Sequence, residues 1–140
     1  MRKIKFRAWI KEEEIMTYFE DDSYILNGDM SVDAFDYEKS DCKNYFEPCY
    51  KTIDAELMQF TGLHDKNGKE IYEGDIVKIK HKGETDIGKI IYEYNGFTVD
   101  VMNMNKPYGR IKLEMLEKFI EVIGNIYENS DLLKGADNIE

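Results

Sequence analysis

The chain has 140 residues and a net charge of −10, with 42% hydrophobic and 13% aromatic residues. This length and composition fit one globular domain with a sizeable apolar core and exclude a disordered chain. No apolar stretch approaches the roughly 20 residues of a membrane-spanning helix, and the basic start lacks the apolar region of a secretory signal. We therefore expect a soluble, cytoplasmic protein that does not bind a membrane.

The charge is divided unevenly along the chain. Residues 1–11 carry +5, residues 12–60 carry −11 and residues 61–140 carry −4. An acidic protein is a poor non-specific binder of nucleic acid, because Lys and Arg supply that affinity by neutralising phosphates. The basic start can bind a polyanion or can face acidic groups of its own chain or of a neighbour. We expect the second arrangement, since mixed surface charge is ordinary.

The first predicted element is a half-buried strand over residues 3–10, where apolar and polar residues alternate. Arg7 and Trp9 lie on one face, and the other face carries Ile4, Phe6 and Ala8. A turn at residues 12–14 leads into residues 15–19, which we expect to pair back as a hairpin. Arginine and tryptophan are enriched at binding hot spots, so Arg7 and Trp9 are the candidate binding residues. The other interpretation is that Trp9 covers a second core beneath the segment that follows.

Residues 21–52 lose clear periodicity and are acidic. Disordered segments contain few aromatic residues, whereas this segment contains Tyr24, Phe35, Tyr37, Tyr45, Phe46 and Tyr50. We predict an ordered acidic insertion with short helical or strand pieces, followed by a barrel core over residues 53–133.

Beyond residue 53 the strand pattern returns and is divided by glycine turns. Two of these turns fall at residues 65–68 and 73–75, and Asp75 is predicted to accept a backbone N–H bond within its own turn. Asn95-Gly96 lies between two apolar runs and is the commonest two-residue hairpin sequence. Residues 111–119 change to helical spacing, and residues 120–126 alternate again as a last strand.

Three stretches of the chain resemble the YopX family of small phage and prophage proteins: residues 2–9, 59–77 and 122–133. The middle stretch is the most specific, with Thr-Gly-Leu at 61–63, Asp-Lys-Asn-Gly at 65–68 and Ile-Tyr-Glu-Gly-Asp-Ile-Val at 71–77. The resemblance implies a phage-borne, intracellular, mostly β protein with no established biochemical activity that can assemble as a homo-oligomer. Residues 21–52 match no family pattern.

Short strands at close spacing, with a short helix before the last one, predict a small closed barrel of the Src-homology type. The predicted fold class is α+β and β-rich: a single domain over residues 1–140, built as an SH3-like barrel with short helices and the acidic insertion. Such folds serve many functions, so architecture alone does not select one.

No motif in the sequence predicts catalysis. His64 and His81 have no serine or cysteine beside them in a nucleophile context, and the glycines are dispersed as turn residues rather than gathered into a phosphate-binding loop. Cys42 and Cys49 lack the short paired spacing of a zinc site, and we expect two ordinary thiols. We predict no enzyme activity, no metal and no cofactor; a small hydrolase would need acids or histidines that only the fold brings together.

The leading hypothesis is a phage or prophage accessory protein in the host cytoplasm. It would act through protein–protein contacts, including homo-oligomer formation, with a host or phage protein as a further partner. The alternative is a single-stranded nucleic-acid-binding barrel, by analogy with barrels that combine aromatic platforms with a basic groove. The basic face of residues 3–9 motivates this alternative, and the net charge argues against it.

Overall fold

The structure is a computed structural model of the chain, and it describes residues 3–36, 49–93, 95–102 and 109–133. Strands account for 57% of these residues, so the predicted β-rich fold is confirmed. The chain divides into two compact units: a small unit of residues 6–58, and a large unit of residues 1–5 and 59–140. The predicted single domain, with an insertion at 21–52 and a core at 53–133, stays a prediction.

The small unit begins with the hairpin that the sequence predicts. Strand β1 (Phe6–Ile10) pairs antiparallel with β2 (Ile15–Thr17). At the turn, the Glu14 N–H donates to the Ile10 carbonyl at 2.8 Å, and Glu14 has a φ of 55°. The hairpin prediction is therefore confirmed, although the strand starts at Phe6 rather than at residue 3.

The described part of the predicted insertion consists of strands. Strands β3 (Tyr24–Leu26), β4 (Val32–Phe35) and β5 (Tyr50–Ile53) form a three-stranded antiparallel sheet with β4 in the middle. The core of the small unit draws on this sheet and on β1, and it consists of Ala8, Ile10, Tyr24, Val32 and Ala34. Strand pieces are thus confirmed, and residues 37–48 of the predicted insertion lie outside the described residues.

The large unit is built on a five-stranded antiparallel sheet. Its strands are β8 (Asp75–His81), β9 (Glu84–Glu93), β10 (Gly96–Val101), β11 (Arg110–Lys112) and β12 (Ile120–Asn125), in the order β11-β10-β9-β8-β12. Strand β6 (Ala55–His64) pairs with β7 (Glu70–Tyr72) through its second half. The core consists of Ile71, Val77, Ile79, Ile90, Val99, Val101, Leu113, Ile120 and Val122.

Tight turns connect the central strands of this sheet. Lys82 and Gly83 both have positive φ, 52° and 80°, as a two-residue hairpin between right-twisted strands requires. The hairpin predicted at Asn95-Gly96 also forms, but Gly96 is already paired with Glu93. The chain therefore reverses one residue earlier than predicted, and Asn95 adopts the positive φ, 64°.

The helix predicted over residues 111–119 is wrong. Its first residues pair with β10 as strand β11, and two single 3₁₀ turns follow at Leu113–Met115 and Glu117–Phe119. Only residues 113–119 separate β11 from β12, and this stretch is shorter than an average α-helix of about 10–14 residues. The predicted inward spacing is nevertheless observed, because Leu113 and Ile120 are buried in the core cluster and Leu116 packs against that cluster.

Candidate functional site

The first strand does not present Arg7 and Trp9 as the sequence suggested. Arg7 is only 3% exposed, and its Nη1 donates to the Tyr18 hydroxyl at 3.5 Å; Trp9 is half-buried. On the other face of this strand, Ala8 and Ile10 are buried. Ile4 is not part of that face, because β1 begins at Phe6. The expected exposure of Arg7 is therefore wrong, and binding by Arg7 and Trp9 stays a prediction.

The sequence places Ile4 on the apolar face of the predicted first strand, but the structure does not bury it. Ile4 lies before β1, and its side chain is 65% exposed. Its neighbour Lys5 forms an ion pair with Glu70 and lies 4.8 Å from the centre of the Phe60 ring. Lys3 is exposed. At the start of the chain, Lys5 is therefore held by the large unit, whereas Ile4 and Lys3 are exposed.

Lys11 forms ion pairs with acidic residues of the small unit. Its Nζ lies 3.0 Å from Glu56 and 3.2 Å from Asp54. The hydrogen bonds to Glu56 and then to Asp54 raise the pKa of Lys11 above its ordinary value. This basic residue therefore faces acidic groups of its own chain.

The carboxylate of Asp65 organises the first glycine turn and joins it to the last strand. One oxygen, Oδ1, accepts the N–H groups of Asn67 and Lys69, each at 2.9 Å, and Oδ2 accepts the N–H of Val122 at 2.9 Å. Burial by itself raises the pKa of the Asp65 carboxyl, but these three donors outweigh it and hold the pKa below its ordinary value. All three bonds are structural, so the turn interpretation is confirmed.

Asp75 stabilises the second glycine turn in the same way, by accepting a backbone hydrogen bond. It is 2% exposed, and its Oδ2 accepts the Tyr72 N–H at 2.8 Å, as the sequence predicts. Between them, Gly74 adopts a φ of 86° and donates its N–H to the Ile90 carbonyl at 2.8 Å. The acidic residues of the most specific stretch therefore bind backbone, and they do not form an open acidic pair.

The small unit contains a cleft with a volume of about 470 Å³. Its apolar lining comes from both the β1–β2 hairpin and the three-stranded sheet: Ile10, Ile15, Tyr24, Ala34, Phe35 and Ile53. Ile15 is 41% exposed and faces solvent as well as the cleft. A concave site of this volume is in the range that ligands occupy.

Four charged side chains also line the cleft, and all four are exposed, whereas most of the apolar lining is buried or half-buried. Glu12, Glu13 and Asp54 contribute three carboxylates, and Lys51 contributes one cation. Glu13 accepts a hydrogen bond from the Tyr24 hydroxyl at 2.5 Å. Glu12 is exposed and forms no ion pair within the described part of the chain. The cleft is thus apolar inside and acidic at its rim.

A second cavity, of about 270 Å³, lies in the large unit. It is bordered by β6, by the β9–β10 turn and by the first 3₁₀ turn, through residues that include Thr61, Leu63, Phe97 and Leu113. Leu63 and Phe97 also pack against the core cluster. This cavity carries one cation and one acid, Lys112 and Glu114, and it offers no charge preference.

Neither histidine forms a metal site or a catalytic pair in the described residues. The His64 ring lies 5.7 Å from Phe60, and the His81 ring lies 4.8 Å from Phe119. Over the ranges that the structure describes, no three His, Cys, Asp or Glu side chains are placed to hold a metal. Cys49 is disulfide-bonded, so the expected free thiol at this position is wrong.

Over the same ranges, the structure contains no helix that is both long enough and apolar enough to span a membrane.

The protein is β-rich, and its glycine turns at residues 65–68 and 73–75 lie in the stretch that most resembles a known family. The chain belongs to the YopX protein family, whose model matches residues 5–134. The family suggested by residues 2–9, 59–77 and 122–133 is thereby confirmed. The expectation that residues 21–52 match no family pattern is wrong, because they lie inside the matched range.

A relative from a prophage supports the same assignment. The chain is 28% identical over 138 residues to the "SPbeta prophage-derived uncharacterized protein YopX" of Bacillus subtilis strain 168, with 94% of this chain and 96% of that protein covered. The resemblance implied a protein with no established biochemical activity, and this relative is likewise uncharacterized.

Two solved structures share the fold. The crystal structure of YopX from Bacillus subtilis matches with a TM-score of 0.60 and 24% identity, covering 94% of this chain and 98% of that one. The crystal structure of protein EF1440 from Enterococcus faecalis matches with a TM-score of 0.58 and 27% identity, covering 95% of this chain and 99% of that one.

Proposed function

We propose that this is a phage- or prophage-encoded accessory protein that acts by protein–protein contact, including self-association, and not by catalysis. The observation that carries the proposal is the cleft of the small unit, because an apolar centre within a polar rim is the usual anatomy of a protein interface. The prophage origin of the relative in Bacillus subtilis supports the phage assignment.

The acidic side chains of the glycine turns support a non-catalytic role. Asp65 and Asp75 are buried in the two glycine turns of the large unit, and both accept backbone N–H bonds. A carboxylate that is held in this way stabilises its turn. A general acid or base needs access to a substrate, and these bonds point the two carboxylates at the protein's own backbone.

We also propose that the large unit is a closed barrel of the SH3 type. The strand order supports this: β8 to β11 form a meander, and after the 3₁₀ turns β12 returns to pair with β8. An experimentally determined structure in which the sheet stays open between β6 and β11 would contradict it.

The proposed location is the host cytoplasm. The disulfide at Cys49 argues against it, because disulfides are uncommon in a reducing compartment. Alkylation of rapidly quenched cells, followed by mass spectrometry, checks the point. Alkylation only after reduction would show that the Cys49 disulfide persists in the cell and would contradict the cytoplasmic location, whereas alkylation without prior reduction would show that this compartment opens the disulfide and would support it.

Two measurements test the proposed function. Light scattering across a range of concentrations measures self-association, and affinity capture from infected or lysogenic host cells identifies a partner protein. We expect a mass above that of one 16.5 kDa chain, a captured phage or host protein, or both. A strict monomer at high concentration that captures nothing would contradict the proposal.

The structure gives the nucleic-acid alternative little support. Of the three cations on the face of residues 3–9, Lys5 pairs with Glu70 and Arg7 is buried. A mobility-shift assay with single-stranded DNA and RNA at low salt, where phosphate contacts are strongest, is the direct check. We expect no binding, and a salt-dependent shift would favour the alternative.

A further inference from the structure

The cleft of the small unit selects for an occupant that is both apolar and cationic. Its interior is lined by aliphatic and aromatic side chains, and its rim carries three carboxylates against one lysine. Partners are matched by opposite potentials at the rim and by apolar contact at the centre. Glu12 is the rim acid that remains open, because Asp54 pairs with Lys11 and Glu13 accepts from Tyr24.

The same chain exposes a segment with that chemistry. Ile4 is 65% exposed, and Lys3 beside it is exposed and forms no ion pair within the described residues. Residues 1–5 include no acidic group. Lys5 is held by Glu70 and Phe60, and its carbonyl accepts the Phe60 N–H at 2.8 Å. The segment is therefore anchored at one end and presents Lys3 and Ile4 outward.

We propose that the cleft binds Lys3 and Ile4 of a second copy of this chain. Ile4 enters the apolar interior, beside Ile15 and Phe35, and Lys3 faces Glu12 at the rim. This inference rests on the proposed self-association and names the two surfaces that produce it. The contact joins two different surfaces, so the assembly is head-to-tail and grows as a ring or a filament.

A head-to-tail contact has two faces that can be disabled separately. Ile4→Asp removes the apolar group from the donor face, and it should not disturb folding because the side chain is already exposed. Glu12→Lys with Ile15→Asp disables the cleft face. We expect each of these two proteins to self-associate about tenfold more weakly than the unmodified protein, because central contacts dominate interface affinity.

Mixing the two disabled proteins gives the decisive measurement. The first retains an intact cleft and the second retains an intact Lys3–Ile4 segment, so one junction can still form between them. We expect a complex of two chains, with twice the 16.5 kDa chain mass, and no larger species. Analytical ultracentrifugation resolves this complex from the separate monomers.

Charge reversal tests the rim contact. Lys3→Glu and Glu12→Lys should each weaken self-association, and the double variant should recover it, because the pair is restored with opposite orientation. Met30→Asp and Met115→Asp are matched controls, since these side chains are 54% and 69% exposed and line neither cavity. Their self-association should equal that of the unmodified protein.

The outcomes separate this inference from the proposed function. Self-association that persists in Ile4→Asp, or a mixture that forms no two-chain complex, overturns the inference and leaves self-association standing. A strict monomer that captures a partner protein overturns the inference as well, while protein–protein contact remains the function. A strict monomer that captures nothing overturns both.

Discussion

A single carboxylate, that of Asp65, satisfies three backbone N–H groups in two separate parts of the large unit. In Asp65→Asn the amide oxygen can keep the two donors of the turn, but the amide NH₂ then faces the Val122 N–H. An unsatisfied buried donor costs about 1–3 kcal/mol. We expect this loss in the free energy of unfolding by urea, whereas the exposed control Asp22→Asn should change it little.

The stabilising effect of Asp65 should depend on pH. Its pKa is lower in the folded protein than its ordinary value of 3.8, so its contribution is fully present above that value and is lost as the pH falls through the folded pKa. The stability difference between the unmodified protein and Asp65→Asn should therefore be largest near neutral pH and shrink below about pH 4. A difference that stays constant as the pH is lowered from neutral into this acidic range would contradict the assigned role.

In strand β9, the sheet leaves no room for a side chain at Gly88. A Cβ at Gly88 would lie 2.7 Å from Val99 Cγ1 and 3.0 Å from the Asp100 carbonyl oxygen. Since backbone cannot yield easily in the middle of a sheet, Gly88→Ala should lower the free energy of unfolding by about 1–3 kcal/mol. Thermal unfolding monitored by circular dichroism measures it.

The matched control for this substitution lies in the same hairpin. A Cβ added at Gly96 would meet open space, with no heavy atom within 4 Å. Gly96→Ala should therefore leave the melting temperature nearly unchanged or raise it slightly, because alanine restricts the unfolded chain. Equal losses from both substitutions would show that strand glycine content, rather than the close approach at Gly88, determines stability.

The elements that the sequence predicts correctly are those with local causes. Turn residues with side-chain acceptors or positive φ, such as Asp65, Asp75 and Asn95, specify their turns within a few residues. The prediction for residues 111–119 failed because pairing with β10 draws Arg110–Lys112 into the sheet, a non-local contact that helical spacing does not reveal. The one-residue shift of the turn at Gly96 is instead local, because Gly96 pairs with Glu93 within the same hairpin.

The cleft could not be predicted because its lining is assembled from separated strands. Ile10 and Ile15 come from one hairpin, and Tyr24, Phe35 and Ile53 come from three further strands. Alternation assigns such residues to a buried face but gives no pairing between strands. The aromatic content of an otherwise acidic segment was the available signal, and it indicated order without indicating a cavity.

On the scale of the whole molecule, the net charge of −10 at neutral pH keeps copies apart except at complementary surfaces. The isoelectric point is about 4.7, and proteins associate non-specifically when their net charge approaches zero. We expect a solubility minimum near pH 4.7, measured by turbidity against pH. Maximal turbidity near neutral pH would instead point to apolar surface as the main cause of association.

The bond from Asp65 to Val122 spans 57 residues, which matters while the chain is being synthesised. At about 5–20 residues per second, the partner strand emerges roughly three to eleven seconds after the turn. The bonds to Asn67 and Lys69 are available throughout that interval, because they are local. The turn can therefore form early, and β8 gains its β12 partner only once residues 120–125 have been made. Chains that stop short of residue 122 retain the turn but lack its link to the last strand.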